Sequence, residues 1–201
     1  MKLLRIFNPV SEDDISKLIK SLPTKTGSLD PIPTWLVKHC SLSLVPAITD
    51  IINHSLLTGE MSDNLKSAVI IPRLKKQHLD PEMLINYRKI STLSYISKLI
   101  EKIVAFQLNV HMETNGLHEL LQSAYKKYHS TETALIKVNS DILTALDDRG
   151  SVLLVLLDFS SAFDTVDHDK LLAILHNRIG ITSTALQWFR SYLSDRSDVV
   201  K

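Results

Sequence analysis

The residues best suited to chemistry lie in the stretch Leu153–His168, where an apolar run ends in an aspartate and further aspartates follow. Val152–Leu157 is wholly apolar and of strand length, and such a run is typical of a strand covered on both faces. Asp158 follows directly, so its carboxylate would stand on a rigid base at the rim of a sheet. Hard cations such as Mg²⁺ bind carboxylate oxygens together with substrate phosphates. The spacing therefore makes Asp158 a candidate metal ligand.

The acidic residues of this stretch also have a structural interpretation. For Asp158 the equal alternative is that it caps the turn that follows. Asp164, Asp167 and Asp169 lie around a loop-to-helix junction, where aspartate is favoured as an N-cap and by the helix dipole. We interpret His168 as structural as well. A different hypothesis, an unrelated metal-dependent enzyme, requires all four carboxylates to converge on one cavity.

The stretch Leu157–His168 resembles the first palm motif of the reverse transcriptases of LINE-type (non-LTR) retrotransposons. That family usually has Leu-Asp-Leu-Ser-Ala-Ala-Phe-Asp-Thr-(Ile/Val)-Asp-His, so Phe159 is a mild departure. The resemblance implies that Asp158 is a catalytic metal ligand and that Phe163 is the steric gate. A flat ring against C2′ of the incoming sugar leaves no room for a 2′-hydroxyl. For Phe163 taken alone, the alternative is an ordinary core aromatic.

Four further stretches resemble motifs of the same family, in the family's order. They are an N-terminal signature (Leu29–Leu36), an early fingers segment (Leu65–Lys76), a fingers motif (Asn86–Ser91) and the motif that follows it (Gln122–Leu135). The last of these ends in His-Ser-Thr-Glu-Thr-Ala-Leu. Together the five motifs extend over nearly the whole chain. The resemblance therefore indicates the fingers and the first part of the palm of a reverse-transcriptase domain.

Basic residues in the fingers motifs acquire substrate-binding roles from this resemblance. Lys75, Arg88 and Lys126 lie in segments that, in the family, face the incoming triphosphate and the template strand. Arginine can grip phosphate with two parallel hydrogen bonds, and lysine acts as a point charge. The alternative is a solvated surface, which we favour for Lys76 and Lys127.

The chain also departs from the family pattern. Lys89 stands where the family usually has proline, and Lys126 where many relatives have arginine. The Gly-rich segment and the Asp-Asp hairpin that follow in the family do not occur within the 201 residues. We therefore expect the chain to stop before the metal site is complete and to be inactive alone. The alternative is a non-enzymatic nucleic-acid-binding remnant, and the chain could equally be part of a longer, decayed element.

The hydrophobic periodicity predicts a mostly helical α+β fold with an incomplete sheet, and the resemblance implies a partial right-hand polymerase fold. We divide it into an N-terminal helical region at residues 1–60 and the fingers with the start of the palm at 61–201. The predicted helices are one starting at Ser11, one around Trp35–Val37, and Leu44–Leu57, Tyr95–Thr114, Ser130–Asp147, Asp169–Arg178 and Ser183–Leu193. The predicted strands are Ser67–Pro72, Tyr87–Leu93 and Val152–Leu157.

Composition limits the remaining properties. The chain is 44% hydrophobic, which is typical of a globular protein, and its net charge of +1 neither supports nor excludes nucleic acid. A single cysteine, Cys40, fits a reducing compartment, and no apolar run approaches the ~20 residues of a membrane helix. We expect an intracellular protein of nucleus or cytoplasm without signal peptide. By resemblance the complete domain uses Mg²⁺, an RNA template, a DNA primer and deoxynucleotide triphosphates. The oligomeric state is left open.

Overall fold

The computed structural model describes residues 2–25, 27–159 and 162–200. They form two compact units, of which the first is Met1–Asn115 together with His168–Lys201 and the second is Gly116–Asp167. Among the described residues, six helices and one small sheet belong to the first unit and one helix to the second, so the predicted α+β class is confirmed. Within the described residues, no helix has the length and apolar composition that crossing a membrane requires.

The helices follow the predicted pattern closely. Their bounds are α1 (Glu12–Ser21), α2 (Thr34–His39), α3 (Ser41–Thr58), α4 (Tyr95–Thr114), α5 (Thr131–Asp147), α6 (His168–Asn177) and α7 (Ser183–Leu193). Short 3₁₀ turns occur at Asp63–Leu65 and Leu84–Asn86. The predicted bounds of α4 and α7 agree with the structure, and those of the other helices differ by a few residues at their ends.

Capping chemistry explains where α1 begins. Ser11 Oγ accepts a hydrogen bond from the backbone N–H of Asp14 at 3.2 Å, and the Asp14 carboxylate accepts one from the N–H of Ser11 at 3.0 Å. The Ser11 hydroxyl also donates to the Asp14 carboxylate at 2.6 Å, and this bond together with the one from the Ser11 N–H holds the pKa of Asp14 below its usual value, because both stabilise the charged carboxylate. Ile15 and Ile19 on the opposite face are fully buried, so this helix packs through one apolar stripe.

The sheet has three strands in the order β2-β1-β3, namely β1 (Ala68–Leu74), β2 (Tyr87–Leu93) and β3 (Asp198–Val200). β1 and β2 form an antiparallel hairpin whose register pairs Ala68 with Leu93 and Leu74 with Tyr87. β3 pairs with β1 in parallel. The periodicity predicted β1 and β2 and missed β3, which is short and exposed on every residue.

The predicted strand Val152–Leu157 is wrong. The structure gives this run an irregular backbone, and all six side chains are exposed, with Leu153 at 88% and Leu156 at 83%. A strand needs neighbours that accept and donate backbone hydrogen bonds, and none of the described strands pairs with this run. The apolar composition indicates that the segment is suited to burial. Burial in a sheet also requires partner strands, and the local sequence does not specify them.

Aromatic side chains form the centre of the first unit. Trp188 of α7 is 1% exposed, and its ring packs edge-on against Phe7 at 5.9 Å and stacks on Tyr192 at 5.1 Å. The indole N–H donates to Ser55 Oγ of α3 at 3.0 Å, which satisfies the buried polar group. The Tyr192 hydroxyl donates to Glu101 at 2.6 Å, and burial followed by this contact raises the pKa of Tyr192 to about 12.

Asp30 connects the loop before α2 to the start of α4. Its carboxylate accepts hydrogen bonds from the N–H of Tyr95 at 2.6 Å and from the N–H of Gly27 at 2.9 Å. A carboxylate at the first residue of a helix satisfies an unpaired N–H and interacts favourably with the helix dipole. The aspartate of the N-terminal signature Leu29–Leu36 therefore has a structural role in this chain.

Gly59 ends α3 at the point where this helix meets α7. Its φ is +73°, and a Cβ there would lie 2.7 Å from the carbonyl oxygen of Thr184 and 2.9 Å from its methyl group. We expect Gly59→Ala to lower the free energy of unfolding by about 2–4 kcal/mol, because it adds overpacking to left-handed backbone strain. Urea denaturation followed by circular dichroism measures this loss.

Gly116 provides the matched control for the Gly59 substitution. Its φ is +62°, but nothing lies within 4 Å of the position that a Cβ would occupy. Gly116→Ala should therefore cost only the backbone term of about 1 kcal/mol. Equal losses for the two variants would contradict the close packing of Gly59 against α7.

Candidate functional site

Asp158 stands at the end of the irregular apolar run in the second unit. Its side chain is exposed, and among the described residues no hydrogen bond or ion pair engages the carboxylate. The alternative in which Asp158 caps the next turn finds no support in its contacts, although Ser160 and Ser161 of the motif lie outside the described residues. The carboxylate oxygens of Asp158 are thus open to a ligand.

Among the described residues, no three His, Cys, Asp or Glu side chains are grouped so that they could hold a metal ion. Asp169 lies in the first turn of α6, where the helix dipole favours a carboxylate. The hypothesis of one four-carboxylate metal cluster therefore has no support in the described part of the chain.

Phe163 lies in a turn at residues 162–165. The Val166 N–H donates to the carbonyl oxygen of Phe163 at 3.4 Å, and the Thr165 hydroxyl donates to that of Ala162 at 3.2 Å. The Phe163 ring is 78% exposed, which excludes the alternative of an ordinary core aromatic in this structure. It packs edge-to-face with the ring of Tyr125, at a centroid distance of 6.3 Å and an interplanar angle of 71°.

The contact between Tyr125 and Phe163 brings two of the sequence motifs together. Tyr125 belongs to Gln122–Leu135, the motif that also contains Lys126, and Phe163 belongs to the Asp158 motif. Both lie in the second unit, and edge-to-face rings at this distance attract one another. Sequence reasoning missed this contact, because nothing in the spacing of the two motifs indicates which of their side chains meet.

Lys126 lies in a tight turn directly before α5. The His129 N–H donates to the Lys126 carbonyl oxygen at 3.2 Å, and Ser130 then caps the helix by accepting from the Thr133 N–H at 3.3 Å. Lys126 is half-buried, and the neighbouring Lys127 places its ammonium 4.9 Å from the centre of the Tyr128 ring. The turn thus presents basic and aromatic side chains from adjacent positions.

Lys75 and Arg88 lie in the hairpin of the first unit. The Lys75 ammonium donates to the carbonyl oxygen of Ile85 at 2.8 Å, so one of its three donors closes the hairpin loop. Arg88 is exposed on β2, directly opposite the exposed Arg73 of β1. Side chains paired in this way share one face of the sheet, with Cβ atoms about 5 Å apart.

Arg73 is a candidate site residue that sequence reasoning did not single out. Like charges directly opposite on a sheet destabilise it, and among the described residues neither arginine forms an ion pair. Two such guanidinium groups suit a bound phosphate, which would relieve their repulsion. Arg73 is identified by the register of the hairpin, which places it opposite Arg88. The sequence motifs carry no information on this register.

A cleft of about 900 Å³ in the first unit contains none of the predicted site residues. Side chains of both charges line it, among them Asp50, Glu60, Lys66 and Arg190. Its mixed charge indicates no particular ligand.

Comparison with known proteins identifies the chain. The family of reverse transcriptases (RNA-dependent DNA polymerases) matches residues 74–201, more than half of the sequence. The chain belongs to the reverse transcriptase family. The identification of a reverse transcriptase from its ordered motifs is thus confirmed, and the hairpin, the Tyr125 turn and Asp158 all lie wholly or largely within the matched residues.

Individual relatives of the chain come from mobile elements of insects. It is 30% identical over 196 residues to the probable RNA-directed DNA polymerase from transposon BS of Drosophila melanogaster, covering 96% of this chain and 21% of the relative. It is 26% identical over 168 residues to the RNA-directed DNA polymerase from mobile element jockey of Drosophila funebris, covering 82% and 18%. The chain thus spans about a fifth of the length of these relatives.

The repulsion between the facing arginines can be tested by measuring stability. We expect Arg73→Gln to raise the free energy of unfolding by about 0.2–1 kcal/mol at low salt, because it removes a cross-strand like-charge pair. The gain should shrink as salt screens the repulsion. Lys89→Gln is the matched control. This substitution also removes one positive charge from the sheet, but Lys89 is paired with the uncharged Pro72. A loss of stability in Arg73→Gln would contradict the repulsive pair.

Proposed function

We propose that this chain supplies the fingers surface and the first catalytic carboxylate of an RNA-directed DNA polymerase. The observation that carries the proposal is the pair Asp158 and Phe163, five positions apart and both exposed, within a chain of the reverse transcriptase family. An exposed carboxylate and an exposed ring are available to a substrate, whereas buried ones would have indicated structural roles.

Asp158 would hold the catalytic metal in this proposal. Two divalent cations, expected to be Mg²⁺, would activate the primer 3′-hydroxyl and stabilise the leaving pyrophosphate when bound. The unpaired carboxylate of Asp158 fits one such ligand position, and Mg²⁺ commonly takes only one or two carboxylates together with phosphates and water. The two cations require carboxylates in addition to Asp158, and the described residues do not group such carboxylates around a metal position. We therefore propose that residues 1–201 do not extend a primer alone.

Phe163 would select the sugar of the incoming nucleotide. A ring held against C2′ excludes a 2′-hydroxyl by steric contact and accepts deoxyribose. The exposed ring is held by Tyr125 on one side only, which leaves surface for a sugar to contact. Specificity of this kind rests on the transition-state energies of the two competing nucleotides.

The basic side chains would bind phosphates of the template, the primer or the triphosphate. Arg73 and Arg88 form a pair of exposed guanidinium groups, and Lys75 has two donors beyond its contact with Ile85. Lys126 lies in the second unit, beside the ring that contacts Phe163. Contacts of this kind give affinity that falls steeply with salt.

A second candidate function is nucleic-acid binding without polymerisation. It is favoured by the unrelieved Arg73–Arg88 repulsion together with the lack of a three-ligand metal grouping among the described side chains. We further propose, from the sequence, that residues 1–60 form an N-terminal helical region and residues 61–201 the fingers with the start of the palm. An intracellular location is proposed on the same basis.

A chimera tests the proposed function. Residues 1–201 would replace the aligned segment of the relative from transposon BS, and extension of an RNA-templated primer would be measured. We expect the chimera to extend the primer and Asp158→Asn to reduce the rate by at least about 1000-fold, because the ligand's charge is lost. Phe163→Val should raise ribonucleotide incorporation by about tenfold or more, the scale of one relieved steric contact.

Asp164→Asn is the matched control within the same motif. Asp164 is an exposed aspartate to which the proposal gives no metal. An Asp158→Asn chimera as active as Asp164→Asn would remove the assigned role of Asp158. Extension by the purified 201-residue chain alone would show that it holds a complete site, contrary to the proposal.

A further inference from the structure

A cavity of about 530 Å³ lies in the first unit, between the loop that follows α1 and the first half of α4. Leu22, Pro23 and Lys25 form its wall on the loop side, and Tyr95 and Ala105 belong to its wall on the α4 side. This volume is in the range of small-molecule pockets, which measure about 300–1,000 Å³. None of the predicted site residues contributes to this wall, so the proposed polymerase chemistry does not use the space, which we call the α4 cavity.

Three lysines contribute to the wall of the α4 cavity. Lys25 belongs to the loop, and Lys98 and Lys102 are four residues apart on α4. Among the described residues, none of the three side chains forms an ion pair. Glu101, which is also in the wall, accepts a hydrogen bond from the hydroxyl of Tyr192 at 2.6 Å. Like charges four residues apart destabilise a helix, so a bound anion would relieve the repulsion between the two lysines of α4.

The loop side of the α4 cavity is fixed by hydrogen bonds. The Lys38 ammonium donates to the carbonyl oxygen of Leu22, and the Thr34 hydroxyl donates to that of Lys25 at 2.9 Å. The N–H of Lys25 donates to the carbonyl oxygen of Pro23 at 3.0 Å. This wall is therefore formed before any ligand arrives, which limits the entropy lost on binding.

Tyr95 gives the α4 cavity a polar group that the fold leaves unsatisfied. The residue is 5% exposed, and its hydroxyl is buried with no hydrogen-bond partner among the described residues. Buried hydroxyls usually have a partner, because an unpaired one costs free energy. Burial, and then the charge of Asp30, raises the pKa of Tyr95, so the hydroxyl keeps its proton at neutral pH. A ligand oxygen in the cavity would supply the acceptor that this hydroxyl lacks.

We propose that the α4 cavity binds a small amphipathic anion, whose apolar body lies between the loop and α4 and whose phosphate-type head contacts Lys25, Lys98 and Lys102. Ligand pockets combine an apolar wall with a small number of polar groups that fix the orientation of the ligand. The lysine stems add methylene surface to the wall while their charged ends stay in water. The inference goes beyond the proposed polymerase function and does not depend on it, because the ligand is not a nucleic acid.

The two parts of such a ligand can be tested separately. Isothermal titration calorimetry of the 201-residue chain at about 50 mM salt would compare hexyl phosphate, which has both parts, with 1-hexanol and with inorganic phosphate. We expect hexyl phosphate to bind about tenfold or more tightly than either of the other two probes. The reason is that burial of the hydrocarbon and charge-assisted contacts of the phosphate both favour the bound state.

The double variant Lys98→Gln/Lys102→Gln tests the contact with the head. It should weaken the binding of hexyl phosphate by about tenfold and leave that of 1-hexanol unchanged. Since it removes like charges four residues apart, the variant should remain folded. Lys127→Gln/Lys137→Gln is the matched control, because it removes the same charge from the second unit and should bind hexyl phosphate as the unmodified chain does.

Ala105→Trp and Tyr95→Phe test the cavity itself. Ala105 is exposed on α4, so a larger side chain there leaves the core intact. Ala105→Trp should fill part of the cavity and weaken the binding of both hexyl phosphate and 1-hexanol by about fivefold or more. Tyr95→Phe removes only the hydroxyl and should weaken the binding of hexyl phosphate by about threefold.

Equal affinity for hexyl phosphate and inorganic phosphate, or unchanged binding by both the lysine and the Ala105 variants, would overturn the proposal. Displacement of hexyl phosphate by an equimolar single-stranded RNA of about 12 nucleotides would assign the lysines to nucleic acid instead. Sedimentation of the chain with vesicles of phosphatidylcholine and phosphatidic acid, combined with no binding of hexyl phosphate, would identify a membrane surface and not a free ligand. Either result would likewise remove the proposed site.

Discussion

Around the buried ring of Trp188, three distant parts of the chain meet. Phe7 comes from the N-terminal segment, Ser55 from α3, and Trp188 itself from α7 near the other end of the sequence. Because α7 is fixed there, the chain that leaves it reaches β1 and adds β3 in parallel. The hairpin of β1 and β2 is therefore anchored to the core of the first unit. Arg73 and Arg88 face each other on a surface that this packing determines.

In the second unit, by contrast, an apolar segment is left without a partner among the described strands. Its apolar run Val152–Leu157 has the composition of a buried strand but lies exposed, since the described strands offer it no backbone partners. Asp158 and Phe163, which follow the run, are exposed as well. Their side chains are thus accessible, and the irregular run fixes the position of the carboxylate less firmly than a paired strand would. Because the described residues contain no group of three possible metal ligands, we assign chemistry to Asp158 only together with further carboxylates.

Features controlled by local interactions were predictable from the sequence. The caps Ser11 and Ser130 mark the starts of α1 and α5, and the apolar stripe of α4 gives its length. Long-range pairings were not predictable in the same way. β3 is three residues of exposed edge, and the Val152–Leu157 run was assigned partners it lacks. The motifs indicated which residues could act, while the register that opposes Arg73 to Arg88 and the contact of Tyr125 with Phe163 required the structure.

The central claim is that this chain presents a nucleic-acid surface of the reverse transcriptase family. The most direct measurement is the affinity of the 201-residue chain for an RNA–DNA primer–template at about 50 and 200 mM salt, with and without the double substitution Arg73→Gln/Arg88→Gln. We predict binding at low salt that weakens at least about tenfold at the higher salt, and a shallower salt dependence in the double variant. No binding at low salt, or a salt dependence unchanged by the loss of both arginines, would contradict the claim.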